Sequence, residues 1–239
     1  MKFVVSSTGL LSHLTAISKV ISSKSTMPIL DNFLFRITET GLTITASDSE
    51  STLITTLELD NVEGQGVIAI PAKLLIDTLR EFPEQPLTFQ IDGSSFGIQI
   101  FSENGKYSIV GYDGEDYPEV PVADEDAVTT MAVSRQVLLK GIEKTLFATA
   151  DDELRPVMNG IYIELTPDYM SFVASDAHKL VRYRRTDAKS EMNASFILPK
   201  KPAALLRSLL SREDNEVKLQ FNEKNAFFKI GRASCRERV

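Results

Sequence analysis

The 239-residue sequence contains a single cysteine, Cys235, so no disulfide can form within the chain. A disulfide-stapled secreted scaffold is thereby excluded, and a reducing, cytoplasmic setting is expected. No apolar run approaches the roughly 20 residues of a membrane-spanning helix. Met1-Lys2-Phe3-Val4-Val5-Ser6-Ser7 enters a strand pattern at once, without the apolar centre of a signal peptide. A Gly-rich phosphate loop is missing too, since Gly64-Gln65-Gly66 lacks the third glycine and the helix behind it. There is no paired-histidine metal motif and no cysteine cluster. The only histidines are His13 and His178. His13, among Leu11, Leu14 and Ala16, reads as a packed or surface side chain. His178 has no recognisable nucleophile beside it, and Asp176 better suits an Asx turn than a proton relay. No catalytic residue, metal or cofactor is therefore expected. An excess of positive charge is lacking as well. The net charge of −7 argues against a generic nucleic-acid binder.

What the sequence does have is a long internal repeat. Ala46-Ser47-Asp48 reappears as Ala174-Ser175-Asp176. At the same displacement, Pro28-Ile29-Leu30-Asp31-Asn32 matches Pro156-Val157-Met158-Asn159-Gly160, and Ile70-Pro71-Ala72-Lys73 matches Leu198-Pro199-Lys200-Lys201. Anchors in constant register mean a duplicated domain, because solenoid units repeat every roughly 20–50 residues. Two domains are expected, at 1–120 and 131–230, joined by an acidic linker at 121–130.

Within each half the periodicity alternates between helix and strand. Leu10, Leu14, Ile17 and Ile21 recur at helical spacing behind Ser6, Ser7 and Thr8, which offer caps. Strands are expected at 29–37, 41–46, 51–59 and 66–70. Pro71 then opens a second helix with Leu74, Leu75, Leu79 and Phe82 apolar. Further strands are expected at 87–91, 96–101 and 107–110. From Tyr112 to Thr130 acids and prolines crowd the chain, which reads as a solvated connection. The second half repeats the plan. Ser134 caps a helix bearing Val137, Leu138, Ile142 and Leu146, and Pro199 opens one bearing Leu205, Leu206, Leu209 and Leu210. Residues 231–239 have no strand period and read as a foreign tail. The fold class is α+β, with tandem domains of two helices packed on antiparallel sheets.

Charge is partitioned between these elements. The helical segments 8–24, 71–82, 133–150 and 199–212 hold eleven basic and three acidic residues, a net of +8. The rest of the chain is therefore −15 against the whole-chain −7. Each helix must turn its apolar stripe to a sheet, so lysines and arginines collect on the opposite face. Such a face suits a phosphate backbone without reading sequence.

The repeat, together with Arg155-Pro156-Val157-Met158-Asn159-Gly160 and Ala174-Ser175-Asp176-Ala177-His178-Lys179-Leu180, closely resembles the bacterial sliding clamp family, the beta subunits of replicative DNA polymerase III. The resemblance runs from residue 1 to about 230. It implies a non-catalytic processivity factor whose members have three such domains and close as head-to-tail homodimer rings around duplex DNA. By this resemblance the sequence holds the first domain and most of the second, and closure of a ring is not expected of it. Implied DNA contacts are Lys24, Lys73, Lys200 and Lys201. The cleft for client peptides, from the polymerase, the clamp loader and other clamp-binding-motif proteins, maps to Met158, Ser175, Ala177, His178, Lys179 and Leu180. Many members have glycine where Ala177 stands. The subunit interface maps to Tyr107 and Ile109. A cytoplasmic, nucleoid-associated location follows. The competing reading is a duplicated-domain interaction module with no DNA role.

Overall fold

Ser6 ends one element and begins the next. In the strand before it, β1 (Lys2–Ser6), Phe3 and Val5 point inward while their neighbours do not. Its hydroxyl then accepts the Gly9 N–H at 3.2 Å, which caps α1 (Ser7–Ile17). Leu10, Leu14 and Ile17 form the buried stripe of that helix, each burial stabilising by roughly 1.5–3 kcal/mol. The structure is a computed structural model. It describes residues 1–22, 27–48, 50–120, 129–152, 154–191, 193–211, 216–222 and 224–230. Lys24 and the proposed tail at 231–239 lie outside the described residues, as does most of the expected linker.

The chain divides into two units at about residue 121. In the first, α1 is followed by β2 (Asn32–Thr38), β3 (Gly41–Ser47), β4 (Thr52–Leu57), β5 (Asp60–Glu63) and β6 (Gly66–Pro71). Then come α2 (Ala72–Arg80), β7 (Pro86–Ile91), β8 (Gly97–Ser102), β9 (Gly105–Val110) and the short β10 (Tyr112–Asp113). Two antiparallel sheets result, ordered β5-β1-β7-β8-β9 and β10-β6-β2-β3-β4. The two helices pack against each other, with α1 against β3 and β4 and α2 against β2 and β6.

The second unit contains β11 (Thr129–Val133), α3 (Arg135–Thr145), β12 (Gly160–Leu165), β13 (Met170–Ser175) and β14 (Leu180–Arg185). β15 (Ala194–Pro199), α4 (Lys200–Leu210), β16 (Val217–Phe221) and β17 (Ala226–Ile230) complete it. Its sheets run β11-β16-β17 and β14-β13-β12-β15. These are the orders β1-β7-β8 and β4-β3-β2-β6 of the first unit, so strand order is shared as the repeat requires. The displacement that relates the sequence anchors carries Ser7–Ile17 onto Arg135–Thr145 and Thr52–Leu57 onto Leu180–Arg185. One core joins both helices to both sheets, including Leu138, Ile142, Phe172, Leu206, Leu219 and Phe228.

Several local expectations are corrected. The chain at Pro28–Asp31 is a 3-10 turn, and β2 begins only at Asn32, whose side-chain amide donates to the carbonyls of Pro28 and Ile29. Leu74 belongs to no core. It is 51% exposed because it lies off the stripe set by Ala72, Leu75, Ile76 and Leu79. Pro71 and Pro199 stand just before their helices, at the caps. The Ser134 hydroxyl makes no cap bond, and its carbonyl accepts from Val137 and Leu138 instead. Nor is the stretch after Tyr112 solvated throughout. Tyr112 and Asp113 pair with Ala69 and Ile68, and Tyr117 is buried against Leu30 and Leu34.

Candidate functional site

Each unit presents the outer faces of two helices. On α2 the exposed residues are Lys73, Leu74, Asp77 and Arg80, with Arg80 paired to Asp77 at 3.2 Å. On α3 they include Lys140, Glu143 and Lys144. On α4, Lys201 and Arg207 are exposed and Lys200 is half-buried. Lys200 Nζ meets Asp151 Oδ2 at 2.5 Å, so this cation is already paired. Arg135 is half-buried: its Nε donates to the Leu210 carbonyl at the end of α4. It ties the two helices together rather than offering a free cation.

The polar turn between β13 and β14 is built by its own side chains. Asp176 Oδ1 accepts the N–H groups of His178 at 3.1 Å and Lys179 at 2.9 Å. Ser175 Oγ donates to the Lys179 carbonyl at 2.9 Å and accepts from the Ala177 N–H at 3.2 Å. The Lys179 ammonium pairs with Asp176 Oδ2. That bond, and then the Lys179 N–H, holds the Asp176 carboxyl far below the usual carboxylate range. The expected Asx turn is thus present, and Asp176 is committed to it. Ala177 occupies the turn at φ +73°, a left-handed conformation that glycine adopts without cost. The first unit repeats the design at the matching positions. There, Asp48 Oδ1 accepts from Glu50 and Ser51, and Ser47 Oγ donates to the Ser51 carbonyl.

Around this turn the sheet is apolar and open. Leu180 is 70% exposed and Val157 66%, while Met158 is half-buried in a 3-10 turn closed by its N–H to the Arg155 carbonyl. Ser175 pairs with Leu180, so both open the same end of the sheet. His178 and Lys179 are exposed beside them. The structure also shows Tyr162 and Ile197, 39% and 40% exposed, paired across β12 and β15. Sequence reasoning missed both, because alternation marks them only as outward-facing. β14 carries Arg182, Arg184 and Arg185 along a sheet edge. Arg184 lies 4.2 Å over the Tyr169 ring, Arg182 pairs with Glu164 at 3.4 Å, and Arg185 pairs with Asp187. Charge on an edge strand discourages pairing with another chain.

In the first unit, Tyr107 is 44% exposed on β9, which pairs only with β8 among the described residues. The Phe82 ring meets it edge-on at 4.9 Å. Ile109, on the same strand, is buried. His13 Nδ1 lies 2.5 Å from Thr55 Oγ1, within hydrogen-bond distance. Among the described residues no group of three or more His, Cys, Asp or Glu is placed to hold a metal ion. Among them, no helix is long and apolar enough to cross a membrane.

This arrangement has close parallels. The DNA polymerase III beta subunit N-terminal domain matches residues 1–121, and the central domain of that subunit matches residues 132–239. The beta sliding clamp of Vibrio cholerae is 30% identical over 94% of this chain and 61% of its own length. That of Halalkalibacterium halodurans is 27% identical over 96% of this chain and 62% of its own length. The DNA polymerase sliding clamp from Bacillus subtilis superposes with a TM-score of 0.92 at 21% identity, over 100% of this chain and 64% of that one. The chain thus spans about three-fifths of the length of these relatives. With both of its domains matched in order, the chain belongs to the DNA polymerase III beta subunit family.

Proposed function

We propose that the chain supplies two of the domains with which a DNA sliding clamp surrounds duplex DNA. It acts as a binding and topological device of the replication machinery in the cytoplasm and carries out no catalysis. The observation that carries this reading is the exposed cations on three of the four helices, α2, α3 and α4, in a chain that is acidic elsewhere; α1 holds no lysine or arginine. A lysine at the second position of α2 and another at the same position of α4, Lys73 and Lys201, put positive charge where the repeat superimposes. Such contacts attract phosphates without reading bases.

Clients, the replicative polymerase and clamp loader among them, dock a short peptide at Met158, Ser175, Ala177, His178, Lys179 and Leu180. The flexible thioether of Met158 and the exposed Leu180 provide the apolar anchor, and the Asx turn fixes where Leu180 stands. The subunit junction uses the β9 edge at Tyr107, with Ile109 supporting it from the core.

The test is a salt titration with duplex DNA. With Lys24, Lys73, Lys200 and Lys201 engaged, log affinity falls against log salt with a slope of roughly −3 to −4, at about 0.9 per phosphate. Breaking the Lys200–Asp151 pair moves the value toward the shallower end. Affinity that ignores salt, or no DNA affinity with intact partner binding, favours an interaction module instead. Nanomolar binding at physiological salt also contradicts the reading.

A further inference from the structure

The first unit contains a groove of about 690 Å³. Its walls are the 3-10 turn at Pro28–Asp31, the first turns of α2, and the segment from Tyr112 to Asp116. All of its lining lies between residues 28 and 116, within that unit. Binding sites are commonly concavities of roughly 300–1,000 Å³ with a mainly apolar lining and a few polar groups.

The apolar part of this lining is open to solvent. Leu74, off the buried stripe of α2, is 51% exposed, and Tyr112, on the edge strand β10, is 55% exposed. Ile29 adds a half-buried side chain to the same lining. Exposed apolar side chains that share one concavity mark a contact surface, whereas scattered ones need no explanation.

The polar part is negative. Asp31, Asp77 and Asp116 line the groove together with Lys73. Arg80 engages Asp77 at 3.2 Å. Among the described residues no ion pair engages Asp31 or Asp116, and both are exposed. The neighbouring sequence adds no counter-charge. Asp113, Glu115, Asp116 and Glu119 crowd the wall segment, and no lysine or arginine occurs from Tyr107 to Ser134. Lys73 offsets only part of this charge.

We propose that this groove docks a short extended segment of a partner protein in which lysine or arginine alternates with large apolar side chains. Ile29, Leu74 and Tyr112 receive the apolar groups, and Asp31 and Asp116 receive the cations. The methylene stems of lysine and arginine let one side chain use both kinds of surface. A tyrosine ring also attracts a guanidinium to its face. An acidic segment is excluded by the same carboxylates. The groove shares no residue with the client cleft at Met158 and Leu180, so it is a second docking point and goes beyond the function proposed above.

The probe is the peptide acetyl-Arg-Leu-Lys-Leu-amide, titrated at low salt into the isotope-labelled chain without DNA. Chemical shifts are expected to move at Ile29, Asp31, Leu74, Tyr112 and Asp116. Asp31→Asn and Asp116→Asn keep the side-chain shape at exposed positions, and each should weaken binding about 1.5–5-fold, as loss of an exposed ion pair does. Leu74→Ser, also at an exposed position, should weaken it about fivefold or more, as loss of an apolar anchor does. The control acetyl-Glu-Leu-Glu-Leu-amide should move none of these shifts. Six outcomes overturn the proposal: no shifts at millimolar peptide, shifts confined to the second unit, equal binding of the glutamate peptide, unchanged affinity when Asp31→Asn and Asp116→Asn are combined, the same shifts with equal affinity for spermidine, and concentration-dependent shifts without peptide. Equal binding of spermidine would mean that the groove reads charge alone, and shifts without peptide that a second copy covers it. None of these outcomes involves DNA, so failure here leaves the salt titration with duplex DNA to stand by itself.

Discussion

Gly141 in α3 lies directly over the Phe172 ring of β13. A Cβ added there would stand 2.4 Å from Cζ and 2.5 Å from both Cε atoms, where ordinary contact begins at 3.4 Å. Phe172 is 0% exposed and has nowhere to retreat. The repeat places His13 and Ile44 at these positions in the first unit. By sequence, a larger residue on the helix there accompanies a smaller one on the strand, and in the second unit the sizes are exchanged. Two effects therefore oppose each other in Gly141→Ala. Helix propensity favours alanine by about 1 kcal/mol. Overpacking a tight core costs about 1–3 kcal/mol, and a contact of 2.4 Å with a fully buried ring that must move by about 1 Å puts this site at the upper end, about 2–3 kcal/mol, so the net loss is about 1–2 kcal/mol. Two units need not unfold in one step, so native-state hydrogen exchange is the suitable assay. Amides of α3 and β13 should exchange about 5–30-fold faster, while those of α1 and β3 keep their rates. Adding Phe172→Leu should restore part of the loss, with a coupling of about 0.5–3 kcal/mol between the contacting sites. Equal or greater protection in Gly141→Ala would show that the interior is not packed as described.

Tyr117→Ala removes a buried ring from Leu30 and Leu34 and should cost about 3–5 kcal/mol, checked by urea unfolding and by loss of the β10–β6 amide protection. In the turn at Ser175, the carboxyl of Asp176 is held below its unfolded value by Lys179, so its contribution is present above the ordinary carboxylate range and is lost as pH falls through the depressed native value. Protection of the His178 and Lys179 amides should then persist from neutral pH to about 4, the ordinary carboxylate value, and disappear at any pH in Asp176→Ala. Ala177→Gly relieves the left-handed backbone at φ +73°, worth about 1–2 kcal/mol, against about 0.4–1 kcal/mol from a more flexible unfolded chain. Unfolding should shift slightly toward stability, and a clear loss would mean that the turn is not strained.

The constant displacement between the two halves determined the domain count and the matched strand order, because a duplicated pattern of buried positions specifies the same packing twice. Helical spacing identified Leu10, Leu14 and Ile17 as core, and the Asp176 turn was readable because its bonds are local. Other features depend on residues far apart in sequence. Whether Lys200 is free depends on Asp151, 49 positions away, and Arg135 is spent on a carbonyl 75 positions away. The acidic run after Tyr112 reads as solvated by composition, yet its backbone finds the β6 edge and its Tyr117 ring finds an apolar seat. Burial of that ring outweighs the local preference of three neighbouring acids, and only the fold brings the seat within reach.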